Sequence, residues 1–207
     1  MNAWCVFLFL MLTNNYFCDT ILMRKQGTMD KFKDKYRISS ARLEGWNYGN
    51  PGLYFITICT KDRIHYFGNI ENNTMLLNEL GKIVNNEWLK TVDLRPDMNL
   101  EMGNFIVMPN HFHAVIFIGD NIYNNVDADE VKKAQSKKTL GPQSKNLSAI
   151  VRGFKSAVTQ YARISNIKFN WQSSFHDHII RGYDEFSRIS EYIKHNPERW
   201  HKDVFNK

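Results

Sequence analysis

Met108-Pro109-Asn110-His111-Phe112-His113-Ala114-Val115-Ile116-Phe117-Ile118 is a turn signal followed by an alternating, strand-like run. In a β-strand, side chains i and i+2 point to one face and i+1 to the other. His111 and His113 therefore project together, while Phe112 turns into a core behind them. Two neutral imidazoles side by side make two-thirds of a divalent-metal site. Pro109-Asn110 is a two-residue turn, so the run from Leu100 to Met108 folds straight back into the histidine-bearing strand.

Outward from this hairpin, the pattern gives the fold class. Leu53-Tyr54-Phe55-Ile56-Thr57-Ile58-Cys59-Thr60, rich in β-branched and aromatic residues, predicts a first strand. Leu80, Ile83, Val84, Trp88 and Leu89 recur at helical spacing between Asn78 and Thr91, and Arg95-Pro96 closes that region. A second helix is expected from Ala149 to Tyr161, with Ser148 as its N-cap. A fourth strand follows around His178-Ile179-Ile180-Arg181. A third helix starts near Asp184 or Ser187, and Pro197 ends it near Asn196. The order β-α-β-β-α-β with a terminal helix predicts an α+β, ferredoxin-like sandwich. Its antiparallel sheet has four to five strands with helices on one face.

A chain of 207 residues, 43% hydrophobic and 14% aromatic, is large enough for one well-filled domain. The net charge of +6 points to an acidic partner, most often nucleic acid. Three cysteines at Cys5, Cys18 and Cys59 form neither a disulfide framework nor a metal spacing, which fits a reducing, cytoplasmic setting. The apolar run Trp4–Leu12 is too short to span a bilayer, which takes about 20 residues, so no membrane partner is expected. Residues 1–28 read as an N-terminal extension. Either the true start is Met29, the favoured reading, or the extension is signal-like. Without it the charge falls by one, because Arg24, Lys25 and Asp19 go together. The domain proper is 29–207, with a polar segment at 119–146 expected to be a mobile linker.

Tyr192 and Asn196 lie four apart, one turn apart on a helical face. The Asn196 amide oxygen is thus available to a metal held by His111 and His113, with Tyr192 pointing at the same place. A phenol is a weak nucleophile at neutral pH, and a metal that polarises a phosphate offsets part of that weakness. The chemistry suggested is phosphodiester transesterification, with a phosphotyrosine link to DNA that stores the bond energy. No phosphate-binding glycine loop is present, and none is needed. Tyr161 is a weaker rival nucleophile, since Ser165 rather than a ligand stands four residues after it. His176-Asp177-His178 is a weaker rival metal pair, because a charged residue cannot be the buried anchor that Phe112 is.

The combination His111-Phe112-His113 with Leu147–Ser156, Phe175–Arg181 and Tyr192-Ile193-Lys194-His195-Asn196-Pro197-Glu198-Arg199-Trp200 resembles the histidine-hydrophobe-histidine (HUH) single-tyrosine transposases. Within these it resembles the REP-associated branch, akin to insertion-sequence-200-like transposases, over roughly residues 30–202. The resemblance implies a transposase that cleaves and rejoins single-stranded DNA through a 5′-phosphotyrosine intermediate, with a C-terminal helix carrying the nucleophile. It implies Tyr192 as nucleophile, His111, His113 and Asn196 as ligands of Mg2+ or Mn2+, and single-stranded DNA with hairpin ends as partner. The enzyme would act as a monomer or as a homodimer. Lys145, Arg152, Lys155, His178 and Arg181 are the candidate DNA contacts, of the kind that positions phosphates without reading sequence. The alternative is a domesticated hairpin-binding protein that no longer cleaves. Replication or conjugation nucleases of the same superfamily usually come in longer chains.

Overall fold

The computed structural model describes residues 30–32, 35–37, 43, 46–124 and 144–206. The expected N-terminal extension and most of the expected linker lie outside these residues. Two short strands, β1 (Asp30–Phe32) and β2 (Lys35–Arg37), pair antiparallel. The domain then runs β3 (Gly52–Cys59), β4 (Gly68–Glu71), β5 (Thr74–Leu77), α1 (Glu79–Asp93), β6 (Leu100–Val107), β7 (His111–Ile118), α2 (Leu147–Ile164), β8 (His176–Ile180) and α3 (Tyr183–Lys194).

The main sheet has four strands in the order β6-β7-β3-β8, every pair antiparallel. With β4–β5 set aside, the four strands rank 2-3-1-4 in chain order, the ferredoxin-like arrangement expected. The β6–β7 turn closes as anticipated, with Met108 N–H donating to His111 O at 2.8 Å. The β4–β5 hairpin is an addition that periodicity did not suggest. Its signal is Asn72-Asn73, both at positive φ (49° and 60°), as a tight two-residue turn requires. Gly68 there has φ +137°, and a Cβ on it would lie 2.0 Å from Leu76 O, so only glycine fits.

The sheet separates two unlike layers. On one face Tyr54, Ile56 and Ile58 of β3 and Phe112, Ala114, Ile116 and Ile118 of β7 pack against α1 and α2 through Leu80, Val84, Trp88, Ile150, Val151, Phe154 and Val158. Trp88, Phe112 and Phe154 form the aromatic centre, with ring centroids 5.1–5.3 Å apart. The other face carries α3, whose Ile189 and Ile193 pack on Phe55, Val115 and Ile180. Helices α1 and α2 share one face, as expected, and the C-terminal helix α3, which carries Tyr192, covers the other.

Two local expectations need correction. The N-cap of α2 is Asn146, whose side chain accepts from Ala149 N–H at 3.0 Å, and the helix begins at Leu147. Ser148 lies inside it, with its hydroxyl buried and unbonded. Helix α3 starts at Tyr183, one residue before the earliest expected position. The described ends of the expected linker are held in place. Asn121 donates to Met98 O and Gly119 O, and Asn124 to Gly49 O. Among the described residues no helix is long and apolar enough to cross a membrane.

Candidate active site

Strand β7 presents His111 and His113 on the α3 face because Phe112 is drawn into the α1–α2 core. The two imidazole centroids are 4.5 Å apart, and both residues are at most 1% exposed. Burial drives both into the neutral form. It holds the His113 pKa down at about 3, and with the neighbouring His113 it holds His111 well below the ordinary histidine range. Neutral imidazole is the form that ligates a metal.

Each histidine is gripped by its Nδ1. His113 Nδ1 is 2.8 Å from Thr57 Oγ1, across the β3–β7 pairing that sets Thr57 opposite His113. His111 Nδ1 is 3.0 Å from Asn110 Oδ1. Neither Thr57 nor Asn110 stood out in the sequence as part of a site. The traces were there: a lone polar residue inside an apolar strand, and an amide directly before the histidine pair. Groups that hold the far nitrogen of a histidine are a regular part of metal sites.

Helix α3 delivers the remaining groups. Tyr192 Oη lies 3.3 Å from His113 Nε2, and the two rings meet edge to face at 5.3 Å. Asn196 stands just past the helix but keeps αR backbone angles (φ −60°, ψ −41°), so the four-residue offset from Tyr192 still holds. It is 1% exposed. Its proximity favours the charged form of His111 against the stronger effect of burial. Yet neither Asn196 Oδ1 nor His111 Nε2 completes a hydrogen bond. Two buried acceptors without donors, beside a second imidazole, are groups that could ligate a divalent cation through oxygen and nitrogen. His111, His113 and Asn196 therefore fit a metal. Among the described residues no group of three or more His, Cys, Asp or Glu does so.

The segment after α3 roofs this site. Pro197–Lys202 forms a 3-10 turn, and Phe205, 2% exposed, packs 4.6 Å from the His111 ring. Trp200 approaches His111 at 6.0 Å. Arg63 lies over the Phe205 ring at 5.3 Å and donates to Val204 O. Burial raises the Asp203 carboxyl to about 6, against a hydrogen bond from Phe205 N–H and the charge of Arg63.

The other singled-out residues lie elsewhere. His176 and His178 of β8 share the α3 face, and His178 Nε2 is 2.7 Å from Glu185 Oε1. The second Glu185 oxygen accepts from Arg181 N–H, which fastens the start of α3 to β8. Lys155 donates to Gln172 O and lies over Trp171. Lys145 pairs with Asp97. The Arg152 and Arg181 side chains are exposed. Tyr161, the rival nucleophile, packs against the α1–α2 core instead.

The chain is 36% identical over 165 residues to a protein of Haemophilus influenzae (strain ATCC 51907 / DSM 11121 / KW20 / Rd) described as uncharacterized. That match covers 79% of this chain and 90% of the other. The chain belongs to that protein's family. No family profile matches it. Among solved structures, the chain is similar to a REP-associated tyrosine transposase bound to a REP hairpin. There the TM-score is 0.47 at 16% identity, over 77% of this chain and 74% of that one. A candidate transposase of Deinococcus radiodurans R1 gives a TM-score of 0.33 at 18% identity, over 74% of this chain and 95% of that one.

Proposed function

We propose that this protein is a metal-dependent DNA strand transferase of the REP-associated single-tyrosine transposase kind. It nicks and rejoins single-stranded DNA with hairpin ends through Tyr192. One observation carries the reading: the Tyr192 hydroxyl is 3.3 Å from His113, whose ring adjoins His111, and His111 Nε2 and Asn196 Oδ1 are both buried and unbonded.

His111, His113 and Asn196 would hold Mg2+ or Mn2+, which when bound polarises the scissile phosphate and steadies developing charge. Tyr192 supplies the nucleophile. Its oxygen forms a bond to phosphorus as the phosphorus–O3′ bond breaks, leaving a 5′-phosphotyrosine and a free 3′-hydroxyl. The phenolic proton passes to solvent, and the departing oxygen takes one from it. Attack by another 3′-hydroxyl reverses the step and needs no nucleotide cofactor. Helix α3 fixes the attacking atom, since Ile189 and Ile193 clamp it to the sheet on either side of Tyr192. Among the candidate phosphate contacts, exposed Arg181 stands just before α3, the helix that carries Tyr192, whereas exposed Arg152 stands on α2 across the sheet.

The test is incubation with labelled hairpin DNA from the flanks of the gene and Mn2+, followed by a denaturing gel. A covalent adduct is expected, and it should vanish with chelator or with Tyr192→Phe. A second reading, a hairpin-binding protein without cleavage, is favoured by one feature: His111 is fully buried, with Phe205 and Trp200 packed against its ring. Hairpin binding with no adduct would select it.

A further inference from the structure

Asn110 occupies a position that its place in a turn does not explain. It is 1% exposed, and its side chain makes three hydrogen bonds. Its Nδ2 donates to Arg63 O at 2.9 Å and to Phe205 O at 2.7 Å. Its Oδ1 meets His111 Nδ1 at 3.0 Å.

The chemistry of these partners admits one arrangement. A side-chain amide has one accepting oxygen and a nitrogen with two N–H donors. Main-chain carbonyls only accept, so the two carbonyls fix which end of Asn110 is the nitrogen. The oxygen is left for His111. A carbonyl oxygen cannot donate, so the proton of the neutral imidazole must sit on Nδ1. Nε2 then carries the lone pair, and no group completes a hydrogen bond to it, although the Asn196 amide lies close by. Thr57 has no such authority over His113, because a hydroxyl can either donate or accept.

We propose that Asn110 is a positioning residue that locks His111 in its Nδ1-protonated tautomer, with Nε2 free to ligate. The direction of the lock is set by the carbonyls of Arg63 and Phe205. The link to metal binding rests on the reading of His111 as a ligand, whereas the tautomer lock does not. Asn110 thereby ties the chain on both sides of the site, 47 residues before it and 95 after it, to the state of one nitrogen.

Long-range 1H–15N correlation spectra of the metal-free full chain report which nitrogen of His111 carries the proton. Mn2+ titration followed by electron paramagnetic resonance reports affinity. The wild type should show Nδ1–H alone. Asn110→Ala should give mixed tautomers and weaken Mn2+ binding about 10- to 100-fold. Asn110→Asp keeps an acceptor for Nδ1–H but turns its second oxygen against the Arg63 and Phe205 carbonyls, so it should retain the tautomer and lose stability. Protonation at Nε2 in the wild type, or an Asn110→Ala protein with unchanged tautomer and affinity, would overturn the proposal. Should Asn110→Ala fail to fold, the wild-type spectrum decides the matter. A wild type with the lock in place but no Mn2+ binding upholds the role of Asn110 and sinks the metal reading. Normal Mn2+ binding and adduct formation in Asn110→Ala leave that reading standing and remove Asn110 from it.

Discussion

The two faces of the sheet are built from the same strands and obey different rules. The face under α1 and α2 is apolar from β3 to β7 and closes around Trp88, Phe112 and Phe154. The face under α3 has a small apolar cluster at Phe55, Val115, Ile180, Ile189 and Ile193, and beside it Thr57, His111, His113 and His176 lie buried. The first face holds the domain together. The second tolerates buried polar groups that a core would reject, because stability is already secured on the other side of a layer one residue thick.

If that division is right, substitutions on the two faces should fail in different ways. The largest effect is expected from Tyr192→Phe, which should abolish adduct formation by more than about 10³-fold while moving the unfolding free energy by less than about 0.5 kcal/mol. Chemical denaturation alongside the gel assay would expose a structural role if both dropped. Phe112→Ala, one residue away from both histidines but on the other face, should cost about 3–5 kcal/mol of stability. If it spared stability, the core would not centre where we place it.

The roof of the site gives a pH test. Burial raises Asp203 to about 6 in the folded chain, above its unfolded value of 3.8. The folded state therefore holds the proton more tightly, and stability falls as pH rises from about 4 through about 6. Asp203→Asn should be more stable than wild type above pH 6, by up to about 3 kcal/mol, and match it below pH 4. A difference that does not change with pH would refute the assignment. Asn196→Ala should weaken Mn2+ binding by at least about tenfold and leave the folded state intact, as calorimetry can establish. The smallest effect lies far from the site. Asn146→Ala should cost about 1 kcal/mol and Ser148→Ala almost nothing, which would confirm the N-cap of α2 by thermal unfolding.

Much of this contrast can be read along the chain, and the limits of that reading are physical. A strand has a period of two, so His111, Phe112 and His113 announce their faces from sequence alone. Trp88 and Phe154 are legible for the same reason at helical period. The side taken by α3 is not, because an amphipathic helix fits either surface of a sheet until its partners Phe55 and Val115 are known to face it. The cap of α2 was misplaced because Asn146 and Ser148 are both good N-caps and only backbone geometry chooses between them. Asn110 was legible as a turn residue and no more, since its partners are main-chain carbonyls distant in sequence. Such acceptors leave no side-chain signature.

The alternation of β7 has a consequence for how the protein can change over generations. Replacing His111 or His113 touches the reactive side and leaves Phe112 in its core. Losing or gaining a single residue in the strand does something else: it exchanges the faces, sending an imidazole among the aromatics and a phenylalanine towards Tyr192. Chemistry in this strand is therefore free to drift by substitution, while its length is not. If the protein cleaves DNA as proposed, a descendant that has given up cleavage should reveal itself by altered letters at 111 and 113 within a strand of unaltered count.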